Sequence, residues 1–113
     1  MVVDVIPKPD FPELREMGLG DSIDTTANGV TYKNTYYIVP QVAEILRLHF
    51  HELVHVAQWD ILGGAGFIQR YIEEILQYGY DDAPLEKMAF RLVSHYTNQG
   101  NKIDVPKYVA ENI

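Results

Sequence analysis

The pattern of apolar and polar positions divides the chain into a β-rich first part and a helical second part. Residues 23–39 are rich in β formers such as threonine, tyrosine, valine and isoleucine. A hairpin turn is predicted at Asn28 and Gly29, and Lys33 and Asn34 offer an alternative turn. The first part therefore predicts a small β-sheet or hairpin whose register stays open.

One short helix, residues 13–17, is predicted before the strands, and three longer helices are predicted after them. Apolar residues recur at helical spacing over residues 41–62, about residues 67–78 and about residues 85–97. Residues 101–113 show no clear pattern. These elements predict an α+β fold in which the sheet or hairpin packs on the helix of residues 41–62, with two further helices following.

Length and composition indicate a single folded domain over residues 1–113. Hydrophobic residues make up 47% and charged residues 22%, which is ordinary for a globular protein with one core. No apolar stretch approaches the roughly 20 residues of a membrane-spanning helix, and the first residues lack a basic leader. We therefore expect a soluble, cytoplasmic protein without membrane contact, and the sequence predicts no oligomeric state.

Charge and cysteine content exclude several classes of function. The formal net charge of -7 argues against broad, non-specific binding to nucleic acid. Because the chain has no cysteine, it has neither disulfides, nor a thiol nucleophile, nor thiolate metal ligands. Any transition-metal site must be built from imidazole and carboxylate groups.

The candidate chemistry lies in the first long helix, in the H-E-x-x-H segment from His51 to His55. Residues four apart on a helix are offset by about 40° and about 6 Å along the axis, so both imidazoles can reach one metal ion. Glu52 lies beside His51, where a general base for a metal-bound water is needed. The segment therefore predicts a hydrolytic zinc site.

A catalytic zinc site usually has a third protein ligand. A metzincin would place glycine three residues and histidine six residues after His55, but Gln58 and Ile61 occupy those positions. Asp60 is too close along the same helix to turn back onto the metal. The remaining candidates are the carboxylates of the later helices: Glu73, Glu74 and Glu86.

Three segments resemble the small bacterial and archaeal gluzincin-type metallopeptidases. The segments are residues 51–59, 66–71 and 84–89, and the family includes the minigluzincins and an H-E-x-x-H peptidase domain of unknown function. In that family the third ligand is the glutamate of an E-x-x-A pattern on a later helix, which corresponds to Glu86. The spacing of Glu74 also matches some glutamate-type zincins, so Glu74 stays as the alternative, and Glu86 is preferred.

The resemblance implies a zincin-like fold and a zinc-dependent peptidase. Zn²⁺ would be held by His51, His55 and Glu86, and Glu52 would activate a zinc-bound water that hydrolyses a peptide or protein substrate. Residues 101–113 are long enough to lie across the cleft and keep the enzyme latent. The alternative function is a catalytically silent zinc-binding domain of the same fold, acting as an interaction or regulatory module.

The sequence says less about the residues that would surround the metal ligands. Many relatives place aspartate after the alanine of E-x-x-A, whereas this chain has Phe90, so another acceptor must orient a ligating histidine. Gln58, one turn beyond His55, is a candidate either for supporting a metal ligand without binding the metal or for a purely structural role. His49 is rotated about 200° from the site, and Trp59 is expected in the core. Candidates for stabilising an oxyanion are His95, Tyr71, Tyr78 and Tyr80.

Overall fold

The structure is a computed structural model that describes residues 4–7, 29–98 and 100–113. The short helix predicted over residues 13–17 lies outside the described residues. The α+β class is confirmed, because the described part contains a three-stranded sheet and four α-helices.

The sheet consists of β1 (Asp4–Pro7), β2 (Gly29–Tyr32) and β3 (Thr35–Ile38), in the order β1-β3-β2. β2 and β3 form an antiparallel hairpin, and β1 pairs with β3 in parallel. Two consequences matter for the site. β2 is an outer strand of the described sheet, and residues at alternate positions of β2 face the same side.

The hairpin turn lies at the second of the two predicted positions. Lys33 has a φ of 57° and, with Asn34, connects the two strands. Gly29 instead belongs to β2 and pairs with Ile38, so the turn predicted at Asn28 and Gly29 is wrong in placing Gly29 outside the strands. The positive φ, which an asparagine or glycine usually takes, falls here on a lysine.

Four helices follow the sheet: α1 (Leu46–Leu62), α2 (Gly64–Tyr78), α3 (Pro84–Thr97) and α4 (Val105–Asn112). The prediction that α1 begins at residue 41 is wrong. Pro40–Val42 form a 3-10 turn instead, and extended backbone at Ile45 (φ -83°, ψ 100°) separates that turn from α1. Because of α4, three helices rather than two follow α1.

α4 lies in the segment whose pattern was ambiguous. Asp104 begins it, and its Oδ1 accepts a hydrogen bond of 3.2 Å from the Lys107 backbone N–H, as an N-cap residue does. Val109 is fully buried against α1 and α3. The last helix is therefore part of the core.

α1 is the central element, because it packs against the sheet and all three other helices. Its residues 51–59 are buried with one exception, Leu53, which is half-buried. The core lies around α1 in three clusters: Val54, Ala57, Met88, Ala89, Leu92 and Val109; Tyr36, Ile38 and Val56; and Trp59, Phe67 and Leu85. The middle of the helix is thus fixed by neighbours from several elements, so side chains on it are well placed to form a precise site.

No helix in the described ranges combines the length and the apolar character needed to cross a bilayer.

Candidate metal centre

Three residues from two helices converge inside the protein. His51 and His55 lie one turn apart on α1, and Glu86 lies in the first turn of α3. All three are buried, and each offers one ligand atom such that these atoms lie within 4.8 Å of one another. The structure thus brings together the three residues predicted as metal ligands.

The distances within this cluster match a tetrahedral ion. His51 Nε2 lies 3.2 Å from His55 Nε2 and 3.1 Å from Glu86 Oε2, and His55 Nε2 lies 2.7 Å from Glu86 Oε1. Ligands that bind Zn²⁺ at 2.0–2.1 Å with tetrahedral angles are about 3.3 Å apart. The separation of the two nitrogens is close to this value, whereas the imidazoles contact different oxygens of Glu86, so the carboxylate would turn to present one oxygen to an ion between them.

The same contacts form an ion pair between imidazole and carboxylate. Burial lowers the pKa of His55, but the hydrogen bond to Glu86 and its charge outweigh burial and raise that pKa to about 9. Burial raises the pKa of Glu86, but the hydrogen bonds from His51 and His55 outweigh it and hold that pKa well below its usual range. In the metal-free protein, a protonated His55 thus balances the carboxylate.

Two different side chains flank the histidines. The Gln58 Oε1 atom lies 2.8 Å from Nδ1 of His55, and the Gln58 Nε2 atom donates to the Leu85 carbonyl at 3.0 Å. The ring of Phe90 lies 4.9 Å from the His51 ring, centroid to centroid. The acceptor beside His55 is therefore an amide, and the position after Ala89 supplies an aromatic surface.

Glu52 is held between α1 and the outer strand β2. The hydroxyl of Thr31 donates to Glu52 Oε2 at 2.6 Å. A Cβ atom at Gly29 would lie only 2.9 Å from Glu52 Oε1, so the absence of a side chain there leaves room for the carboxylate. The charge of Glu52 also raises the pKa of His55.

Sequence reasoning missed the roles of Thr31 and Gly29. Their alternate positions on one strand place both on the side that faces α1. The alternation of Gly29 and Thr31 is present in the sequence, but its meaning depends on knowing that these residues form a strand and that this strand lies against α1.

Of the predicted tyrosines, Tyr71 contacts the cluster, and Tyr80 feels the charge of its carboxylate. The hydroxyl of Tyr71 donates to Glu86 Oε1 at 3.2 Å. Burial, then the negative charge of Glu86, raise the pKa of both Tyr71 and Tyr80. Both phenols therefore stay protonated, and Tyr71 is the one that donates to the cluster.

Other predicted candidates have different partners. Glu74 accepts from the Leu85 backbone N–H at 2.7 Å and from Arg70 Nε at 2.8 Å. Glu74 thus anchors the start of α3, the helix that carries Glu86, and satisfies one of the N–H groups that a helix start leaves unpaired. Tyr78 is exposed, at the end of α2.

The remaining two histidines lie away from the cluster. His49 contacts the Tyr36 hydroxyl at 2.7 Å and the Ala43 carbonyl at 2.6 Å, as expected from its rotation on α1. His95 contacts the Asn101 carbonyl at 2.7 Å, at the connection between α3 and α4. His95 therefore holds a loop in this structure.

The segment of residues 101–113 is part of the folded structure. α4 packs on the core through Val109, and the Ile113 carbonyl accepts from Arg70 Nη1 at 2.8 Å. Latency through residues 101–113 stays a prediction, but removal of the segment would also remove part of the core.

Comparison with known proteins gave no matching family model, no matching curated protein and no matching solved structure. The resemblance to gluzincins in three short segments of the sequence therefore stays a prediction. Functional conclusions for this chain rest on the side chains of the site.

Proposed function

We propose that the chain is a zinc-dependent peptidase of the gluzincin type, in which His51, His55 and Glu86 hold one Zn²⁺ and Glu52 is the general base. The observation that carries the proposal is the convergence of two imidazole nitrogens and a carboxylate, with contacts of 2.7–3.2 Å between them, in the donor set that a hydrolytic zinc site uses. A His₂Glu donor set leaves one position open, which is the arrangement of a hydrolytic site rather than a closed structural one.

The cluster forms an ion pair in the metal-free protein, and it holds one imidazole more than that ion pair needs. A buried carboxylate needs one cationic partner, and His55 already supplies it at 2.7 Å. The second imidazole, that of His51, also contacts the carboxylate, at 3.1 Å from Glu86 Oε2, and its Nε2 lies 3.2 Å from Nε2 of His55. A cation in the centre would satisfy both nitrogens and the carboxylate together.

The chemistry is hydrolysis of a peptide bond. When bound, Zn²⁺ would polarise the substrate carbonyl and lower the pKa of a bound water to about 7. Glu52, fixed by the Thr31 hydroxyl, would accept the proton from the attacking water and deliver it to the nitrogen of the leaving amine. The carbon–nitrogen bond then breaks, giving a carboxylic acid and an amine without an acyl-enzyme.

The substrate side of the proposal rests on β2. This strand is at the edge of the described sheet and carries the residue that holds Glu52. An extended peptide that adds to such an edge forms main-chain hydrogen bonds, which would bring its backbone past Glu52. Tyr71 and Tyr80, protonated donors beside Glu86, are the groups available to stabilise the developing oxyanion.

The test combines metal analysis with a cleavage assay on casein or a peptide library. Wild type should bind about one zinc and cleave; Glu52→Gln should keep the zinc and lose turnover; and His51→Ala should lose both. Zinc binding without cleavage by the wild type would favour the silent binding module instead. A wild-type protein that takes up no zinc contradicts the proposal.

A further inference from the structure

Gln58 is a fully buried amide beside the proposed metal ligands. Its side chain is 0% exposed, and it lies three residues after His55, on the same face of α1. A buried amide costs free energy unless its polar atoms are paired. Here both ends are paired, one with His55 and the other with the backbone of α3.

The contact with α3 determines which way the amide points. The Leu85 carbonyl is only an acceptor, so the group that faces it at 3.0 Å must be the amide –NH₂. The amide oxygen, which is also only an acceptor, therefore faces His55 Nδ1 at 2.8 Å. Because two acceptors cannot pair, Nδ1 must carry a proton.

A proton on Nδ1 leaves Nε2 as the ligand atom of His55. Nε2 is the atom that lies 3.2 Å from His51 Nε2 and 2.7 Å from Glu86. The Leu85 carbonyl thus controls, through Gln58, which imidazole nitrogen of His55 is offered to the metal.

Gln58 also sets the position of the third ligand. Leu85 directly precedes Glu86 in the first turn of α3, so the same amide ties α1 to the backbone beside the carboxylate. We propose that Gln58 is a positioning residue, which holds His55 as the Nδ1–H form and keeps α1 and α3 in the register that makes their ligands meet. This inference rests on the proposed metal-binding role of the site.

The amide of Gln58 also affects how electron-rich the His55 imidazole is. A neutral amide accepts a weaker hydrogen bond than the carboxylate that often supports a ligating histidine. The imidazole then stays less electron-rich and neutralises less of the charge of the metal. The arrangement therefore favours a strongly polarising ion at some cost in metal affinity.

The experiment compares zinc affinity, by competition with a chromophoric chelator, in wild type, Gln58→Met and Gln58→Glu. Methionine fills a similar volume but offers no comparable acceptor, so Gln58→Met should bind zinc 10–100-fold more weakly. Gln58→Glu keeps an acceptor for His55 but places a second acceptor against the Leu85 carbonyl, so it should recover only part of that loss. Gln69→Met makes the same change on the exposed face of α2, and Val109→Ala destabilises the core from α4, which carries none of the proposed ligands; both should bind zinc like wild type.

A second measurement does not depend on the metal. In the NMR spectrum of the metal-free protein, His55 Nδ1–H should give a slowly exchanging proton signal coupled to ¹⁵N, and Gln58→Met should lose it. Equal zinc affinity in wild type and Gln58→Met, or no protected Nδ1–H in wild type, overturns the positioning role. A wild type that shows the protected proton but binds no zinc refutes the proposed function and leaves Gln58 as the residue that orients His55.

Discussion

Glu86 and Glu74 provide a matched pair of buried glutamates for testing the third ligand. Both are buried, and they are the two carboxylates between which the sequence leaves a choice. The structure gives them different partners: Glu86 contacts the two histidines, whereas Glu74 contacts Arg70 and the Leu85 backbone. The substitutions Glu86→Gln and Glu74→Gln remove one charge each and hardly change volume.

The expected magnitudes follow from these contacts. Loss of an outer partner of a metal ligand already costs 10–100-fold in affinity, so Glu86→Gln should weaken zinc binding by at least about 100-fold. In Glu74→Gln the amide oxygen can still accept from Leu85, and the Arg70 partner is one-third exposed. Glu74→Gln should therefore lower the free energy of unfolding by about 1–2 kcal/mol, because two hydrogen bonds lose their charge. Its zinc affinity should be unchanged.

Two assays separate these outcomes. Chelator competition measures zinc affinity, and urea unfolding of the metal-free proteins measures stability. The assignment is refuted if Glu74→Gln loses zinc while Glu86→Gln keeps it. If both variants lost zinc, the anchoring of α3 by Glu74 would be more important to the site than the distances indicate.

Three further predictions test other parts of the structure. The raised pKa of His55 stabilises the metal-free fold below pH 6.5 and loses that effect as pH rises through about 9. The lowered pKa of Glu86 stabilises the metal-free fold above pH 4.5. Thermal melts should therefore show the greatest stability between about pH 4.5 and 6.5, and a melting temperature that keeps rising towards pH 9 would contradict this. Val109→Ala should lower the free energy of unfolding by about 2 kcal/mol in urea titrations, because the side chain is fully buried, and a loss below about 0.5 kcal/mol would mean that α4 is not in the core. Gly29→Ala should reduce turnover while zinc content stays constant, because its Cβ displaces Glu52; unchanged turnover would show that the carboxylate adapts.

The sequence was sufficient for the helix that carries the motif and for the convergence of its two histidines, because both depend on local helical spacing. The position of Glu86 beside them required the resemblance to a family, since α1 and α3 are joined only by tertiary packing. The pairing of β1 with β3 was not predictable from a four-residue strand that ends in proline. Parallel pairing joins residues far apart in sequence and leaves no local pattern.

Two other features show why local patterns were insufficient. α4 begins with an aspartate cap and buries Val109, but its few apolar residues include a proline and do not form a clear periodic face. The role of Gln58 depends on the Leu85 carbonyl, which becomes its neighbour only when α3 crosses α1. Both features arise from packing between helices.

The distribution of buried polar groups supports a single binding centre. The described residues with buried polar or charged side chains are His51, Glu52, His55, Gln58, Glu74 and Glu86. Three of them form the cluster; of the others, Glu52 is the proposed base, Gln58 contacts His55, and Glu74 anchors the helix that carries Glu86. Burying polar groups costs free energy, and apolar residues in their place are often more stable. A small domain that nevertheless concentrates these groups around one point gains most from them when a cation occupies that point, because binding to the folded state alone adds stability.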